Sequence, residues 1–170
     1  IDERWQGRLD LPLHSTGQAQ AAALALLLPE TLDAIVASPM QRARQTAQVV
    51  AESRGLAMQF DPAFRERDFG VFEGLTGIEA QVQYPALFAA NAAYRWDVEP
   101  TGAAPTRTVV DRVAEGLATL QAQHAGRTVL LVSHGFVVRC LRYLIDGLDE
   151  SLFFSADRIA NGSFLTRELR

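Results

Sequence analysis

Three short stretches hold side chains whose types and spacing suit anion chemistry. In "ASPMQRARQ" (37–45), Ser38-Pro39 ends an apolar run, and Arg42 falls in the turn that follows. In "LLVSHGFVVR" (130–139), a second apolar run stops at Ser133-His134-Gly135, and a new apolar pattern begins at once. Arginine offers a rigid fork of donors for phosphate or carboxylate oxygens. A histidine at a strand end can donate, accept or carry a proton, and a following glycine lets backbone approach a ligand closely. The third stretch, "FRERDFGVFEG" (64–74), places Glu66, Asp68 and Glu73 among Phe64, Phe69 and Phe72. A carboxyl partly desolvated by such aromatics has its pKa raised and becomes a candidate general acid.

Each of these has a plainer reading. His134 also fits a hydrogen-bonded boundary residue, and Arg42 alone reads as a solvated helix arginine. The acidic stretch fits a turn with surface carboxylates. His124, before Ala125-Gly126, reads as a surface residue near a helix end. Cys140 reads as core packing.

The elements needed to position these residues follow from hydrophobic spacing. "DAIVAS" (33–38) and "RTVLLVS" (127–133) are too short for helices and predict buried strands. Ser38 suits a helix N-cap, Pro39 the first helical position and Gly55 the C-terminal stop. Val109, Val113, Leu117 and Leu120 recur at helical spacing up to Gly126, and "FVVRCLRYLIDG" predicts a helix ending at Gly147. "QAQAAALALLL" (18–28) is apolar nearly all round and predicts a well-buried helix. "GSFLTREL" (162–169) alternates weakly, as an edge strand would. Alternating strands and helices predict a three-layer α/β/α fold with a mostly parallel central sheet. In open sheets of this kind, ligands bind beyond the carboxyl ends of the strands, where helix N-termini favour anions. Residues 77–106 are interrupted by Pro85, Pro100 and Pro105 and carry Tyr84, Phe88, Tyr94 and Trp96. They predict a small helical, cap-like insertion in one domain spanning 1–170.

Composition narrows the function. The 170 residues carry a net charge of −4, which argues against nucleic acid as a partner, since phosphate-backbone binding needs a basic face. A local cationic pocket for a small anion stays open. One cysteine excludes an internal disulfide and a cysteine-cluster metal site, and points to a reducing cytoplasm. The three histidines lack metal-ligand spacing, and no apolar run reaches membrane-spanning length. A monomer or homodimer acting on a small molecule is the expectation.

Taken in order, "RWQGRLDLPLHSTGQAQA", "VASPMQRARQTA", "FRERDFGVFEGLT" and "LVSHGFVVR" resemble the histidine phosphatase superfamily, in its phosphoglycerate-mutase-like branch. The resemblance runs from about Arg4 to Asn161. It implies phosphoryl transfer through a phosphohistidine, with no metal or organic cofactor. Arg42 would clamp the phosphoryl group. Glu66 would protonate the leaving alkoxide and then help deprotonate water. His134 would be the second histidine, a neutral or cationic donor to phosphoryl oxygens rather than the nucleophile. Gln6 and Gly7 would lie on the substrate-side loop, Gly135 would line the pocket with its backbone, and Asn161 would stand near it.

Two departures stand out. The family's Arg-His-Gly motif, which carries the nucleophile on a central strand, would fall upstream of Ile1. His14 does not replace it, because its place in "PLHSTG" suits a cap or flank of the helix from Gly17. Ala103, Ala104 and Pro105 in "TGAAPT" replace the usual Gly, Glu and Ser, which alters the pocket rim. Mutases of the family carry a longer basic insertion between acid and second histidine, whereas here Glu66 and His134 are only 68 positions apart. A metal-independent phosphatase of small phosphomonoesters is therefore the leading expectation. A phosphoglycerate or phosphosugar mutase and an inactive phosphate-binding relative are the alternatives.

Overall fold

The protein, seen in a computed structural model, is described over residues 4–155 and 159–169. Its centre is a parallel sheet of three strands, β1 (Ala34–Ala37), β2 (Met58–Phe60) and β3 (Val129–Val132), in the order β2-β1-β3. All four residues of β1 are buried, because it is flanked on both edges and covered on both faces. Strand alternation divides them. Ile35 and Ala37, with Val132, pack against α1 (Ser15–Leu27) and α2 (Gln41–Arg54). Val36 faces a second cluster built by α5 (Thr106–Gln123) and α6 (Gly135–Asp146). The result is the expected α/β/α layering. Burying each such Val or Ile stabilises the fold by about 1.5–3 kcal/mol.

Between β2 and α5 the chain is mostly loop. Two 3-10 turns, Pro62–Phe64 and Gly70–Phe72, bracket the acidic stretch. Two short helices then follow, α3 (Gly77–Gln83) and α4 (Pro85–Ala89). Thr76 and Glu79 start α3 with a reciprocal capping box, a local signal sufficient to open even so short a helix. Of the aromatics after it, Tyr84, Phe88 and Trp96 are half-buried, while Tyr94 is exposed. Trp96 lies against Phe153 at 4.5 Å and against Tyr143 and Phe154, and its indole N–H donates to the Glu150 carbonyl at 3.0 Å.

Several local expectations need correcting. Helix α2 starts two residues late, with Met40 as its cap, and the Asp10 carboxylate accepts from the Gln41 N–H at 2.6 Å. Ser38 stands two residues before the cap, where its hydroxyl accepts loosely from the Met40 N–H at 3.4 Å and also meets His134. Helix α1 buries one stripe, Gly17, Ala21, Leu24 and Ala25, while Leu26 and Leu27 are 87% and 67% exposed. A helix outside a sheet meets a neighbour on one side only, so its full apolar circumference cannot be covered. Residues 162–169 form no strand; the described ladders join only β1, β2 and β3. His124 is buried rather than superficial, with neither ring nitrogen hydrogen-bonded. His14, by contrast, caps α1 as expected: its Nδ1 accepts from the Gly17 N–H at 3.1 Å. Cys140 is buried in the core.

Candidate active site

The ends of β1 and β3 lie side by side, and each runs straight into a helix. Ser38 and His134 therefore face one another, and the His134 Nε2 and Ser38 Oγ are 2.7 Å apart. One helical turn on, Arg42 Nε donates to His134 Nδ1 at 3.2 Å. An arginine can only donate, so Nδ1 is the bare nitrogen and Nε2 carries the hydrogen, which it donates to Ser38. His134 is thus held neutral. Burial, then the charges of Arg42 and Arg112, push its pKa down from 6.5 to about 3.

Arg42 also ties down the chain that precedes α1. Its Nη1 donates to the Leu9 carbonyl at 2.8 Å and its Nη2 to the Gly7 carbonyl at 3.0 Å. Gly7 is buried with φ +50°, and a Cβ there would collide with the Glu73 carboxylate. That carboxylate accepts from the Arg8 N–H at 2.7 Å and the Phe69 N–H at 3.1 Å, which joins the loop to the acidic stretch. Burial lowers the Arg42 pKa, and Glu66, Asp10 and Glu73 oppose that effect.

Glu66 stands on the other side. Its carboxylate accepts from the Arg67 N–H at 2.9 Å and, more loosely, from the Phe136 N–H at 3.4 Å in the first turn of α6. Burial raises its pKa and outweighs these two bonds and the charges of Arg42 and Arg112. A carboxyl whose pKa is raised, beside an arginine and a helix N-terminus, is suited to donate a proton.

Loop residues need fixing, and three contacts fix this one. Ser133 Oγ donates to the Phe64 carbonyl at 2.9 Å, tying the loop to the end of β3. Arg112, from α5, donates to the Arg65 carbonyl at 2.7 Å. Arg67 is wholly buried; it donates to the carbonyls of Ala104 and Ala93, both at 2.9 Å. Its guanidinium lies over the rings of Phe136 and Phe69, at 4.8 and 5.4 Å.

The structure therefore brings Arg42, Glu66, His134 and Gly7 together. Gly135 opens α6 beside them and is exposed. Gln6 is exposed, and among the described residues its backbone carbonyl closes the turn to Leu9 at 2.9 Å. Asn161 is not brought in: it is exposed in a turn whose Gly162 lies against Gln20 of α1. Ser38, Arg67 and Arg112 were missed. Ser38 had a signal, since both strand-to-helix joints carry a serine at the strand end. Arg67 and Arg112 had none. Among the described residues, no three His, Cys, Asp or Glu side chains gather to hold a metal ion, and no helix is long and apolar enough to cross a membrane.

The family model of the histidine phosphatase superfamily (branch 1) covers residues 1–168. The uncharacterised phosphatase PhoE of Bacillus subtilis is 30% identical over 153 residues, 89% of this chain and 74% of that protein. Phosphoserine phosphatase 1 of Hydrogenobacter thermophilus is 33% identical over 153 residues, 89% of this chain and 72% of that protein. A solved structure of a mycobacterial glucosyl-3-phosphoglycerate phosphatase superposes with a TM-score of 0.85 at 28% identity, covering 94% of this chain and 81% of that one. With this family model matched over residues 1–168, the chain belongs to the histidine phosphatase superfamily.

Proposed function

We propose that the protein is a cytoplasmic, metal-independent phosphatase that hydrolyses a small phosphomonoester through a phosphohistidine. The observation that carries this reading is the pairing of Arg42 with His134 at 3.2 Å, with Glu66 held by the helix that starts directly after His134. Arg42 binds the phosphoryl oxygens and offsets the charge that builds on them. A phosphoryl dianion beside His134 reverses the local balance of charge, so His134 takes a proton and donates to a phosphoryl oxygen. Glu66 gives its proton to the leaving oxygen as the P–O bond breaks. It then takes a proton from the water that attacks the phosphohistidine, which restores both groups.

The nucleophile in this reading is the histidine of an Arg-His-Gly strand preceding the sequence described here. Among the described residues β3 pairs only with β1, so its other edge offers such a strand a partner. The phosphatase names of the relatives support hydrolysis over mutase chemistry, as does the short span from Glu66 to His134.

The test uses the full-length protein with p-nitrophenyl phosphate and EDTA. Turnover is expected, with a phosphoenzyme that is stable to base and labile to acid. Failure to hydrolyse any of a broad phosphoester panel would overturn the reading.

A further inference from the structure

The chain before α1 turns at residues 6–9, where the Leu9 N–H donates to the Gln6 carbonyl at 2.9 Å. Gly7 has φ +50° and Arg8 has no positive φ, the pattern of a type II′ turn. The central peptide of such a turn takes no part in the closing hydrogen bond, so its carbonyl and its N–H both need partners elsewhere. Here that peptide joins Gly7 to Arg8, and its partners are ions of opposite sign. The Gly7 carbonyl accepts from Arg42 Nη2 at 3.0 Å, and the Arg8 N–H donates to Glu73 Oε1 at 2.7 Å. One peptide group thus lies between a guanidinium and a carboxylate. The same Glu73 oxygen accepts from the Phe69 N–H at 3.1 Å, which anchors the carboxylate to the acidic stretch.

Arg42 donates from Nε to His134, from Nη1 to the Leu9 carbonyl and from Nη2 to the Gly7 carbonyl. Its Nη2 also lies 3.6 Å from the Met40 sulfur, a weak acceptor. The guanidinium is planar and rigid, so these acceptors set the direction of the N–H groups left for a ligand. Glycine at the second turn position tolerates either orientation of the central peptide. Inverted, that peptide would present its N–H to Arg42, where a donor meets a donor. A carboxylate on the N–H holds the peptide as it stands. We infer that Glu73 is a positioning residue for Arg42: by fixing the Gly7–Arg8 peptide, it aims the guanidinium. The inference rests on the phosphatase reading above for what Arg42 is aimed at, the phosphoryl group. The Glu73 charge works in the same direction, being one of the three carboxylates that oppose the effect of burial on Arg42.

A double-mutant cycle on the full-length protein, read as kcat/KM for p-nitrophenyl phosphate, separates aiming from mere stapling of the loop. Glu73→Ala is expected to lower kcat/KM about 30-fold, the scale of a lost hydrogen bond to a charged group. Glu73→Gln keeps an acceptor oxygen for both N–H groups and should return to within about three-fold of wild type. Glu73→Asp, one methylene too short to reach both, should fall with the alanine variant and serves in its place if that variant fails to fold. In an Arg42→Ala background, Glu73→Ala should cost less than about three-fold more, because nothing is left to aim. A full 30-fold further loss there would overturn the inference, as would a single loss under three-fold or a glutamine variant no better than alanine. If no phosphoester is turned over, the phosphatase reading fails and Glu73 is judged by calorimetry with inorganic phosphate. The alanine variant should then bind about ten-fold more weakly and the glutamine variant about as wild type; equal affinities for all three would overturn it.

Discussion

The two halves of the site are built differently. Arg42, Ser38 and His134 sit on the ends of paired strands and the first turns of long helices, so the sheet register itself sets their spacing. Glu66 sits on a loop with no ladder of its own. It is held by a serine just after β3, an arginine from α5 and a wholly buried arginine tied to the insertion. The first half gets its geometry from secondary structure. The second gets it from single side chains reaching across the fold, and each of those is a point where it can be broken.

The largest effect should come from the strand-and-helix half. Arg42→Ala removes the phosphoryl clamp, and kcat/KM for p-nitrophenyl phosphate should fall about 10³-fold, the scale for losing a preorganised charged donor. A loss under ten-fold in steady-state assays would move the clamp elsewhere.

Next comes the loop half. Arg67→Ala leaves a cavity and strips the Ala93 and Ala104 carbonyls of their donor, and it should cost about 3 kcal/mol in urea unfolding. Arg67→Met keeps much of the volume and removes the buried charge, so its cost should stay near 1 kcal/mol or below. Equal losses for the two variants would show that the charge, not the packing, holds the loop.

A further effect separates the halves by pH. His134 binds a proton in the unfolded chain below about 6.5 but in the folded protein only near 3. Between those values the unfolded state holds more protons, so stability falls as pH falls, by about 1.4 kcal/mol per pH unit from this group. His134→Gln should flatten the acid-unfolding profile by that slope. An unchanged profile would mean that His134 is not the neutral, buried group of this structure.

Glu66 works in the opposite sense. Its folded pKa is raised, so the folded state holds the extra proton, and stability is lost as pH rises through the folded pKa. Glu66→Gln should therefore raise the unfolding midpoint at pH 8 and leave it nearly unchanged at pH 4. A lower midpoint at pH 8 would mean that the ionised carboxylate supports the fold.

The same contrast explains what could be read from the sequence. Apolar runs ending at Ser38 and Ser133 were sufficient to predict β1, β3, the helices after them and the joints where Arg42 and His134 meet. Glu66 was legible among phenylalanines only as one of three acid candidates with Asp68 and Glu73, and the family resemblance singled it out. Its supports were not, because Arg67 and Arg112 resemble any loop or helix arginine until long-range contacts are formed. Strand β2 is three residues long and carries no period. The start of α2 was misplaced because a distant carboxylate, Asp10, accepts from the Gln41 N–H, a contact that local capping signals do not reveal.

The central claim is that the loop half supplies the proton and the strand half does not. Leaving-group dependence in Glu66→Gln tests it most directly. An alkyl phosphate needs its departing oxygen protonated, whereas p-nitrophenolate leaves without help. The account predicts a loss of about 10²-fold or more for the alkyl ester and a loss at least ten-fold smaller for p-nitrophenyl phosphate. Equal losses on both substrates would contradict it.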